Sequence, residues 1–402
     1  MKRILVTATT FPRHMQDTEP AFVFNLSKAL AEKGFALVVL VPHHFGAKRF
    51  EIMGGLEVYR FPYFYPSKLQ KLCYEGGILP NIKKSLLAKI QVPFLVISEF
   101  FYIRKIIKKQ KIDLVHAHWI VPQGFISAII KKFYKIPYIA TAHAGDIFPL
   151  RARFLRFFGK IALENSDSCT ANSTYTKGAL LGVSKIKHIE IIPMGVDLKN
   201  FNKNKKNKKL REIYRIKGPF LLSVGRLAEK KGIKYLVKAM PLILESFPGA
   251  KLIVVGDGPE RKGLEDLVAG LNLRKNIIFT GKIPENELPE YYATADVFIG
   301  PSIVTKSGDT EGLGVVFLEA IASGTIAVGS NVGGIPDIIK DNKTGVLVEQ
   351  KNPKQLAEKI IFILKNPNLK KQLVKNAQAH INRNYSWDVV AKKFERIYLK
   401  LL

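Results

Sequence analysis

Short apolar runs alternate with longer amphipathic stretches along the first half of the chain. Runs typical of buried strands lie at 4–8, 36–41, 56–61, 113–116, 137–141, 167–171 and 188–192. Several of the intervening segments have helical periodicity, as at 21–33, where Gly34 closes the helix, and at 124–134. Strands that alternate with helices predict a parallel sheet covered on both faces.

The same alternation starts again in the second half. Strand patterns lie at 220–226, 251–255, 276–280, 296–300, 325–329 and 346–349, and helical patterns follow at 353–365, 369–382 and 387–402. Segment 199–217 between the halves holds nine Lys or Arg residues interspersed with Asn, which is typical of a solvated boundary. Because single cores stop growing near ~250–300 residues, we predict domains at 1–198 and 199–385, followed by a helix at 386–402.

Histidines end two neighbouring strand patterns of the first half. His116 and His118 close the run that begins at Asp113, and His143 and Asp146 follow the run that begins at 137. The carboxyl ends of consecutive parallel strands meet at one crevice. A histidine at a strand end is more often structural than catalytic, but three of them at two strand ends reduce that preference for a structural role.

A polar, glycine-bearing loop runs into a strongly apolar helix over 307–324 and carries two acids, Glu311 and Glu319. A buried carboxylate costs several kcal/mol unless it is paired. The free amides and the dipole of a helix start favour an anion. The pattern therefore suits a phosphorylated ligand with hydroxyls at both ends. The alternative is that an arginine satisfies Glu319, and that Glu311 is an ordinary first-turn acid.

The formal net charge of +30 is compatible with nucleic acid, an anionic membrane or anionic substrates as partners. The excess lies in both halves and no nucleic-acid module is recognisable, which argues against nucleic acid. The two cysteines, Cys73 and Cys169, have neither metal-site nor disulfide-framework spacing, and the N-terminus lacks a signal-peptide pattern. We expect a cytoplasmic protein.

Segment 83–111 combines eight Lys or Arg residues with many aromatic and aliphatic ones. That mixture suits a helix lying on anionic lipid, with cations around an apolar face. A core helix with a solvated basic face fits equally well. The longest apolar run, 92–103, contains Glu99 and is shorter than the ~20 residues that span a bilayer, so no transmembrane helix is expected.

Several short motifs recur in the order and spacing of a known family. They are Gly225-Arg226-Leu227 with Lys231-Gly232, Asp257–Pro259, Thr280-Gly281, the Glu311–Glu319 segment and Gly333-Gly334-Ile335-Pro336. On these motifs the chain resembles the retaining glycosyltransferases of family 4 over essentially its full length. The resemblance implies an α/β GT-B fold, in which two Rossmann-like doubly wound domains face each other across a cleft. It places the acceptor on the N-terminal domain, the donor on the C-terminal domain, and the last helix back on the N-terminal domain.

The resemblance also implies roles for individual residues. Arg226 and Lys231 would hold the donor diphosphate, helped by backbone amides at the helix start, namely those of Gly312, Leu313, Gly314 and Val315. Glu311 would reach hydroxyls of the donor sugar and Glu319 the nucleotide ribose, with the base received around Gly281, Lys282 and Ile283. His143 would lie near the anomeric centre. His118 and Asp146 are further candidates for the same cleft.

The implied activity is transfer of a hexose from a UDP- or GDP-sugar to a hydroxyl of a glycan or lipid-linked acceptor, in cell-surface polysaccharide or glycolipid synthesis. The family retains configuration by same-face attack, without a protein nucleophile. We expect no metal, since Asp-x-Asp is absent and Asp309-Thr310-Glu311 is only a loose analogue, and no cofactor, since the donor nucleotide sugar is a substrate. The expected location is cytoplasmic, peripheral on the inner membrane face. Alternatives are a nucleotide-sugar epimerase or a phosphorylase of the same fold, or a basic nucleic-acid-binding protein.

Overall fold

A computed structural model describes residues 1–15, 17, 21–74, 76–186 and 188–402. The chain forms two compact units. The first unit comprises Met1–Met194 together with Trp387–Leu402, and the second unit comprises Gly195–Ser386. The sequence places the corresponding boundaries after residues 198 and 385.

The first unit is built on an eight-stranded sheet in the order β3-β4-β2-β1-β5-β6-β7-β8. All neighbouring strands are parallel except β3 and β4, which are antiparallel. The apolar runs of the sequence form its centre, where strands are covered on both faces. The strands are β1 Arg3–Thr7, β2 Ala36–Pro42, β3 Phe50–Met53, β4 Leu56–Phe61, β5 Leu114–His118, β6 Tyr138–Ala142, β7 Ser168–Ala171 and β8 Glu190–Ile191.

Helices cover both faces of this sheet and give the unit two apolar cores. They are α1 Phe22–Ala31, α2 Ile78–Lys84, α3 Leu86–Lys109, α4 Phe125–Tyr134, α5 Arg153–Glu164, α6 Thr174–Leu181 and the C-terminal α15 Trp387–Leu401. Helix α15 packs against α1 and buries Phe394 and Tyr398 in the core that contains β1 and β2. The last helix therefore returns to the N-terminal domain, as the resemblance implies.

The second unit has a six-stranded parallel sheet in the order β11-β10-β9-β12-β13-β14. Its strands are β9 Phe220–Val224, β10 Lys251–Val255, β11 Ile277–Gly281, β12 Val297–Gly300, β13 Ile326–Ser330 and β14 Val346–Val348. Its helices are α7 Lys209–Ile213, α8 Ile233–Ser246, α9 Arg261–Gly270, α10 Leu288–Thr294, α11 Val315–Ala322, α12 Ile335–Ile338, α13 Pro353–Lys365 and α14 Pro367–Asn384. The strand order reverses next to β9, because β10 and β12 lie on opposite sides of it.

Helix α3 is longer than the apolar run that the sequence suggests. It has 24 residues and is long and apolar enough to cross a membrane by length and composition alone. One face packs on the sheet and buries Leu95 and Ile103, and it also buries Glu99, whose carboxylate accepts a hydrogen bond from Gln123 Nε2 at 3.2 Å. The opposite face leaves five apolar side chains 48–72% exposed, namely Leu86, Ile90, Phe94, Ile97 and Phe101. The helix thus combines a core face with an apolar outer face.

Candidate functional site

The carboxyl ends of β9 and β12 border a pocket in the second unit. Ser223, Val224 and Gly225 line it from β9 and the turn after it, and Gly300, Pro301 and Ser302 line it from β12 and the loop after it. Lys231, Glu311 and Phe317 complete the lining. Chain connections leave β9 and β12 in opposite directions, so the pocket lies at the topological switch point, where ligands bind in open α/β sheets.

Glycines allow two backbone segments to meet beside this pocket. A Cβ atom added to Gly256, just after β10, would lie 2.1 Å from the Gly225 carbonyl oxygen. One added to Gly258 would lie 2.3 Å from the Leu227 carbonyl oxygen. Neither position has room for a side chain, which explains why the turn after β10 is glycine-rich. Together these contacts fix the loop that carries Arg226.

A second pair of glycines holds the loop that precedes α11. Gly334 donates its backbone N–H to the Glu311 carbonyl oxygen at 3.0 Å. A Cβ atom at Gly333 would lie 2.0 Å from that oxygen, and one at Gly334 would lie 2.2 Å from the Gly312 carbonyl oxygen. The other side of the loop is held by Lys230, whose Nζ lies 3.1 Å from Asp309. The glycine pair therefore sets the position of Glu311 and Gly312.

Lys231 and Glu311 form an ion pair inside the pocket, although 80 residues separate them in the chain. Their side chains are 18% and 15% exposed, respectively. Burial raises the pKa of Glu311, but the ammonium groups of Lys231 and Lys230 outweigh burial and leave that pKa below its ordinary value. The pair thus presents a charged carboxylate and a charged ammonium at the switch point.

Helix α11 begins directly after this loop. Gly314 caps it in the left-handed conformation with φ 90°, which is strained for any residue with a side chain. The Phe317 ring anchors the first turn beneath the loop, because Cβ atoms at Gly300, Gly314 and Gly329 would each lie within 2.9 Å of it. The first amides of a helix lack intrahelical acceptors and favour an anion. Leu313 is buried, whereas Gly312 and Val315 are only half-buried.

Glu319 lies one turn further along α11 and is half-buried. Its carboxylate accepts a hydrogen bond at 2.8 Å from the hydroxyl of Tyr292 on α10. The partner is thus a tyrosine, where the sequence suggested an arginine or a ligand. Burial raises the pKa of Glu319 to about 7, and the Glu285 charge adds to this, while the Tyr292 hydrogen bond and the Lys231 charge oppose it.

The remaining predicted donor residues lie at the same edge of the sheet. The Arg226 side chain is exposed, and its guanidinium makes no hydrogen bond or ion pair with any residue that the structure describes. Gly281 ends β11, and its carbonyl oxygen accepts a hydrogen bond from the Gly256 N–H at 2.8 Å. Beyond it, Lys282 is exposed and Ile283 is half-buried. The structure brings Lys231, Glu311 and the start of α11 together, and sets the 281–283 segment at the sheet's β11 end.

Three histidines of the first unit form a column at the ends of β5 and β6. His116 is buried, with Nδ1 2.7 Å from the Tyr398 hydroxyl of α15 and Nε2 2.7 Å from Thr141 Oγ1. The His116 and His118 rings stack with centroids 4.2 Å apart. His118 Nδ1 in turn lies 2.9 Å from His143 Nε2. Burial lowers the pKa of all three, to about 3 for His116 and His143, so the column is neutral at neutral pH.

Asp146 joins the two loops beside this column. Its carboxylate accepts the backbone N–H of His143 at 3.0 Å and that of Ile120 at 2.8 Å. Burial raises the pKa of Asp146 to about 6, and these amides oppose that effect. Asp146 and His118 were further candidates for the same cleft as His143. In the structure Asp146 is buried and connects the two loops through its hydrogen bonds. His118 is only 1% exposed, and its ring lies behind that of His143.

Sequence reasoning missed Tyr292 and Tyr398, the two hydroxyls that contact Glu319 and His116. Each comes from a helix distant in sequence from its partner. A lone tyrosine in an amphipathic helix carries no local signal of such a contact.

Two family models match the chain. The model described as Glycosyltransferase Family 4 matches residues 21–200, and the model described as Glycosyl transferases group 1 matches residues 205–380. An uncharacterized glycosyltransferase of Methanocaldococcus jannaschii is 32% identical over 310 residues, covering 72% of this chain and 75% of that protein.

Another relative and one solved structure extend the comparison. The GDP-mannose-dependent alpha-(1-6)-phosphatidylinositol monomannoside mannosyltransferase of Mycobacterium tuberculosis is 28% identical over 298 residues, covering 72% of this chain and 76% of that protein. The structure of sucrose-phosphate synthase from Thermosynechococcus elongatus matches with a TM-score of 0.82 at 23% identity, over 100% of this chain and 99% of that one. This match confirms the predicted fold class.

Proposed function

Because the chain belongs to the group 1 glycosyltransferases of family 4, we propose that it transfers a hexose from a UDP- or GDP-sugar to a hydroxyl of a glycan or lipid-linked acceptor, with retention of configuration. The observation that carries the proposal is the Lys231–Glu311 ion pair at the switch point of the second sheet. Glu319 lies about one turn into the helix that starts beside it. A cation, a helix start and two acids match a diphosphate that bears a sugar at one end and a ribose at the other.

In this proposal the residues of the second unit bind and stabilise the leaving group. Negative charge develops on the nucleotide diphosphate as the glycosidic bond breaks, and fixed cations and amides stabilise it. Lys231 and Arg226 supply the cations, and the backbone amides of Gly312–Val315 supply the donors. Glu311 holds Lys231 and accepts hydrogen bonds from sugar hydroxyls, while Glu319 accepts them from the ribose.

We propose that His143 positions the acceptor or sugar hydroxyls, and that the leaving phosphate itself takes the acceptor proton. Glu311 then needs no covalent role. This is consistent with its ion pair, since a carboxylate held by an ammonium is a weaker nucleophile. We further propose that neither a metal nor a cofactor takes part, because Lys231 and Arg226 provide the positive charge that a divalent cation would otherwise supply.

Transfer between a nucleotide sugar and an added acceptor tests the proposal. Purified protein should move a radiolabelled hexose from a UDP- or GDP-sugar to a lipid-linked or glycan acceptor, and NMR of the product should show an α-linkage. EDTA should leave the rate unchanged. If the labelled sugar instead remains attached to the nucleotide but is converted into a different sugar, the protein is an epimerase. The proposal would be contradicted if the protein transferred a hexose from none of the UDP- and GDP-sugars tested.

We propose that the acceptor is lipid-linked and that the first unit binds anionic membranes through the outer face of α3. The Mycobacterium tuberculosis relative is described as acting on a phosphatidylinositol mannoside, which supports a lipid acceptor. The exposed apolar side chains of α3 recur every three or four residues, so they form one stripe, and exposed lysines flank it at Lys89 and Lys105. Apolar residues with surrounding cations favour an anionic lipid surface. The protein would then be cytoplasmic and peripheral.

Removing two aromatic rings from this stripe should weaken binding to vesicles of phosphatidylglycerol and phosphatidylcholine. Phe94→Gln/Phe101→Gln is expected to reduce binding at low salt by roughly tenfold or more, because each ring would lose burial in the lipid. Co-sedimentation measures this. Phe362→Gln is the matched control, since Phe362 is 50% exposed on α13, against 48% and 56% for the two phenylalanines of α3. Equal binding by both variants, or no binding by the wild type, would contradict the membrane proposal.

Donor affinity should rise with pH, because burial raises the pKa of Glu319 to about 7. Only the ionised carboxylate has acceptors for both ribose hydroxyls while it also accepts from Tyr292. The dissociation constant of the nucleotide sugar should therefore fall about tenfold between about pH 6 and about pH 8. Tyr292→Phe removes a hydrogen bond that lowers this pKa, so its midpoint should move to higher pH. Titration calorimetry measures both, and a pH-independent wild-type affinity would contradict the assignment.

A further inference from the structure

We infer that His118 is a positioning residue that fixes the ring orientation and the tautomer of His143. The inference rests on the proposed function, in which His143 acts on hydroxyls at the reacting sugar. His118 itself is 1% exposed and lies behind His143, so it acts through that ring.

The geometry of the two rings supports a specific N–H···N hydrogen bond. His118 Nδ1 lies 2.9 Å from His143 Nε2, and the ring planes differ by only 18°. Ring nitrogens carry their lone pair or proton in the ring plane. The ring centroids lie 5.1 Å apart, which at a nitrogen separation of 2.9 Å means that the nearly parallel rings lie side by side, so the two nitrogens can face each other. The Nδ1 atom of His143 makes no hydrogen bond within the described part of the chain, which leaves it for a ligand.

The other contacts of His143 hold its backbone and restrict its ring, but they do not determine which ring nitrogen faces which way. Its backbone N–H is held by Asp146, and the rings of Phe22 and Trp119 lie beside the imidazole with centroids 4.9 and 5.1 Å away. These aromatic contacts restrict the ring but do not distinguish its two nitrogens. His118 is the described residue that forms a hydrogen bond with the imidazole, and this bond can therefore determine which of the two ring nitrogens carries the proton.

His118 is itself held from the opposite side. Its ring stacks on His116, and His116 is fixed by two hydrogen bonds of 2.7 Å, one with the Tyr398 hydroxyl and one with Thr141 Oγ1. A partner with so little freedom can impose one geometry on His143.

The hydrogen bond also determines what His143 offers to a ligand. Burial keeps both imidazoles neutral, so each ring has one N–H and one lone pair. If His118 donates, the His143 proton lies on Nδ1, and that atom is a donor. If His143 donates, its Nδ1 is an acceptor. Either arrangement gives one defined tautomer, whereas a free imidazole exchanges between two.

Two substitutions separate positioning from simple packing. His118→Leu fills the site without a hydrogen bond, and His118→Asn places an amide near the position of Nδ1, where it can donate or accept. The leucine variant should lose about tenfold in kcat, which corresponds to one lost hydrogen bond, while the asparagine variant should stay within about threefold of wild type. His188→Leu, at an exposed histidine of the first unit, is the control and should leave kcat unchanged.

Nitrogen-15 NMR of the histidine rings gives a readout that packing alone would not move. In the wild type His143 should show one protonated and one unprotonated ring nitrogen, with a scalar coupling to His118 Nδ1 across the hydrogen bond. The leucine variant should show a mixture of tautomers. Should that variant not fold, the wild-type coupling and the asparagine variant still test the inference.

The inference is overturned if His143 in the wild type exchanges between tautomers, or if the leucine variant keeps the wild-type tautomer and kcat. An asparagine variant as slow as the leucine variant would also overturn it. Failure of the proposed function looks different, because the wild type would then transfer no sugar while the NMR signature of a fixed tautomer persists.

Discussion

Replacing Lys231 by methionine should lower kcat/KM by roughly 10²–10³-fold, the range found when one preorganised group that stabilises a developing anion is removed. Methionine keeps much of the side-chain volume and removes the charge. The loss has two parts. The diphosphate loses a cation, and Glu311 loses the ammonium that keeps its pKa low, so burial raises that pKa. Steady-state kinetics across a range of pH should therefore show a weaker enzyme with an added requirement for higher pH.

A matched lysine on the next helix controls for charge alone. Lys238 is exposed on α8, and Lys238→Met removes the same charge from the same unit. Its kcat/KM should stay within about twofold of wild type, since an exposed charge that contacts no ligand contributes little. If Lys231→Met retained the wild-type rate, the ion pair would have no part in donor chemistry, and the assignment of the diphosphate site would be wrong.

The alanine substitution at Gly334 should reduce activity strongly, although Gly334 itself has no proposed contact with the donor. The new Cβ atom would lie 2.2 Å from the Gly312 carbonyl oxygen and 2.8 Å from Leu313 Cα, both of them backbone atoms. The loop must move, and it carries Glu311 together with the amides at the start of α11. A displacement of about 1 Å can cost 10²-fold in rate. Crowding of this kind also typically destabilises a fold by about 1–3 kcal/mol.

Gly263→Ala is the control for this experiment. Gly263 lies in α9, is exposed, and has no atom within 4 Å of an added Cβ atom. Alanine there should stabilise the protein by about 0.4–1 kcal/mol and leave turnover unchanged. Chemical denaturation and steady-state kinetics of both variants give the comparison. Full activity in Gly334→Ala would mean that the position of the loop before α11 does not matter.

Much of the fold could be predicted because apolar runs in a parallel sheet are buried on both faces. Strand β3 was not predicted, because it is an antiparallel edge strand with Phe50 and Ile52 exposed and so lacks a buried apolar run. A signal for it was nevertheless present. Gly54 and Gly55 separate β3 from β4, both have positive φ, and two glycines between apolar runs are typical of a hairpin turn.

Helix α3 shows why the buried acid misled the sequence interpretation. Glu99 interrupts the apolar pattern, which therefore appeared to be a short run. In the structure Glu99 is fully buried, accepts a hydrogen bond from Gln123, and its pKa is raised by burial to about 8. A neutral acid with a buried partner is tolerated in a core helix, and that partner lies 24 residues away with no local signal.

The candidate site was only partly accessible to sequence reasoning. Burial of carboxylates in α11 could be argued from the apolar pattern, and the roles of Glu311 and Glu319 came from the family resemblance. The contacts that set their charge could not be predicted, because Lys231 and Tyr292 reach them from other elements through tertiary packing. The glycine pair at 333–334 was recognised as a motif, but its use, the close approach of two backbone segments, needed the fold.

The most direct test of the central claim is a thermal-unfolding assay of ligand binding. It measures how far nucleotides and nucleotide sugars stabilise the wild type, Lys231→Met and Glu319→Gln. That claim is that the switch point of the second sheet holds the donor. One UDP- or GDP-based ligand should stabilise the wild type by about 2.7 kcal/mol at a hundred times its Kd, and much less in both variants at the same concentration. A wild type that no nucleotide stabilises, or a stabilisation that both variants retain in full, would contradict it.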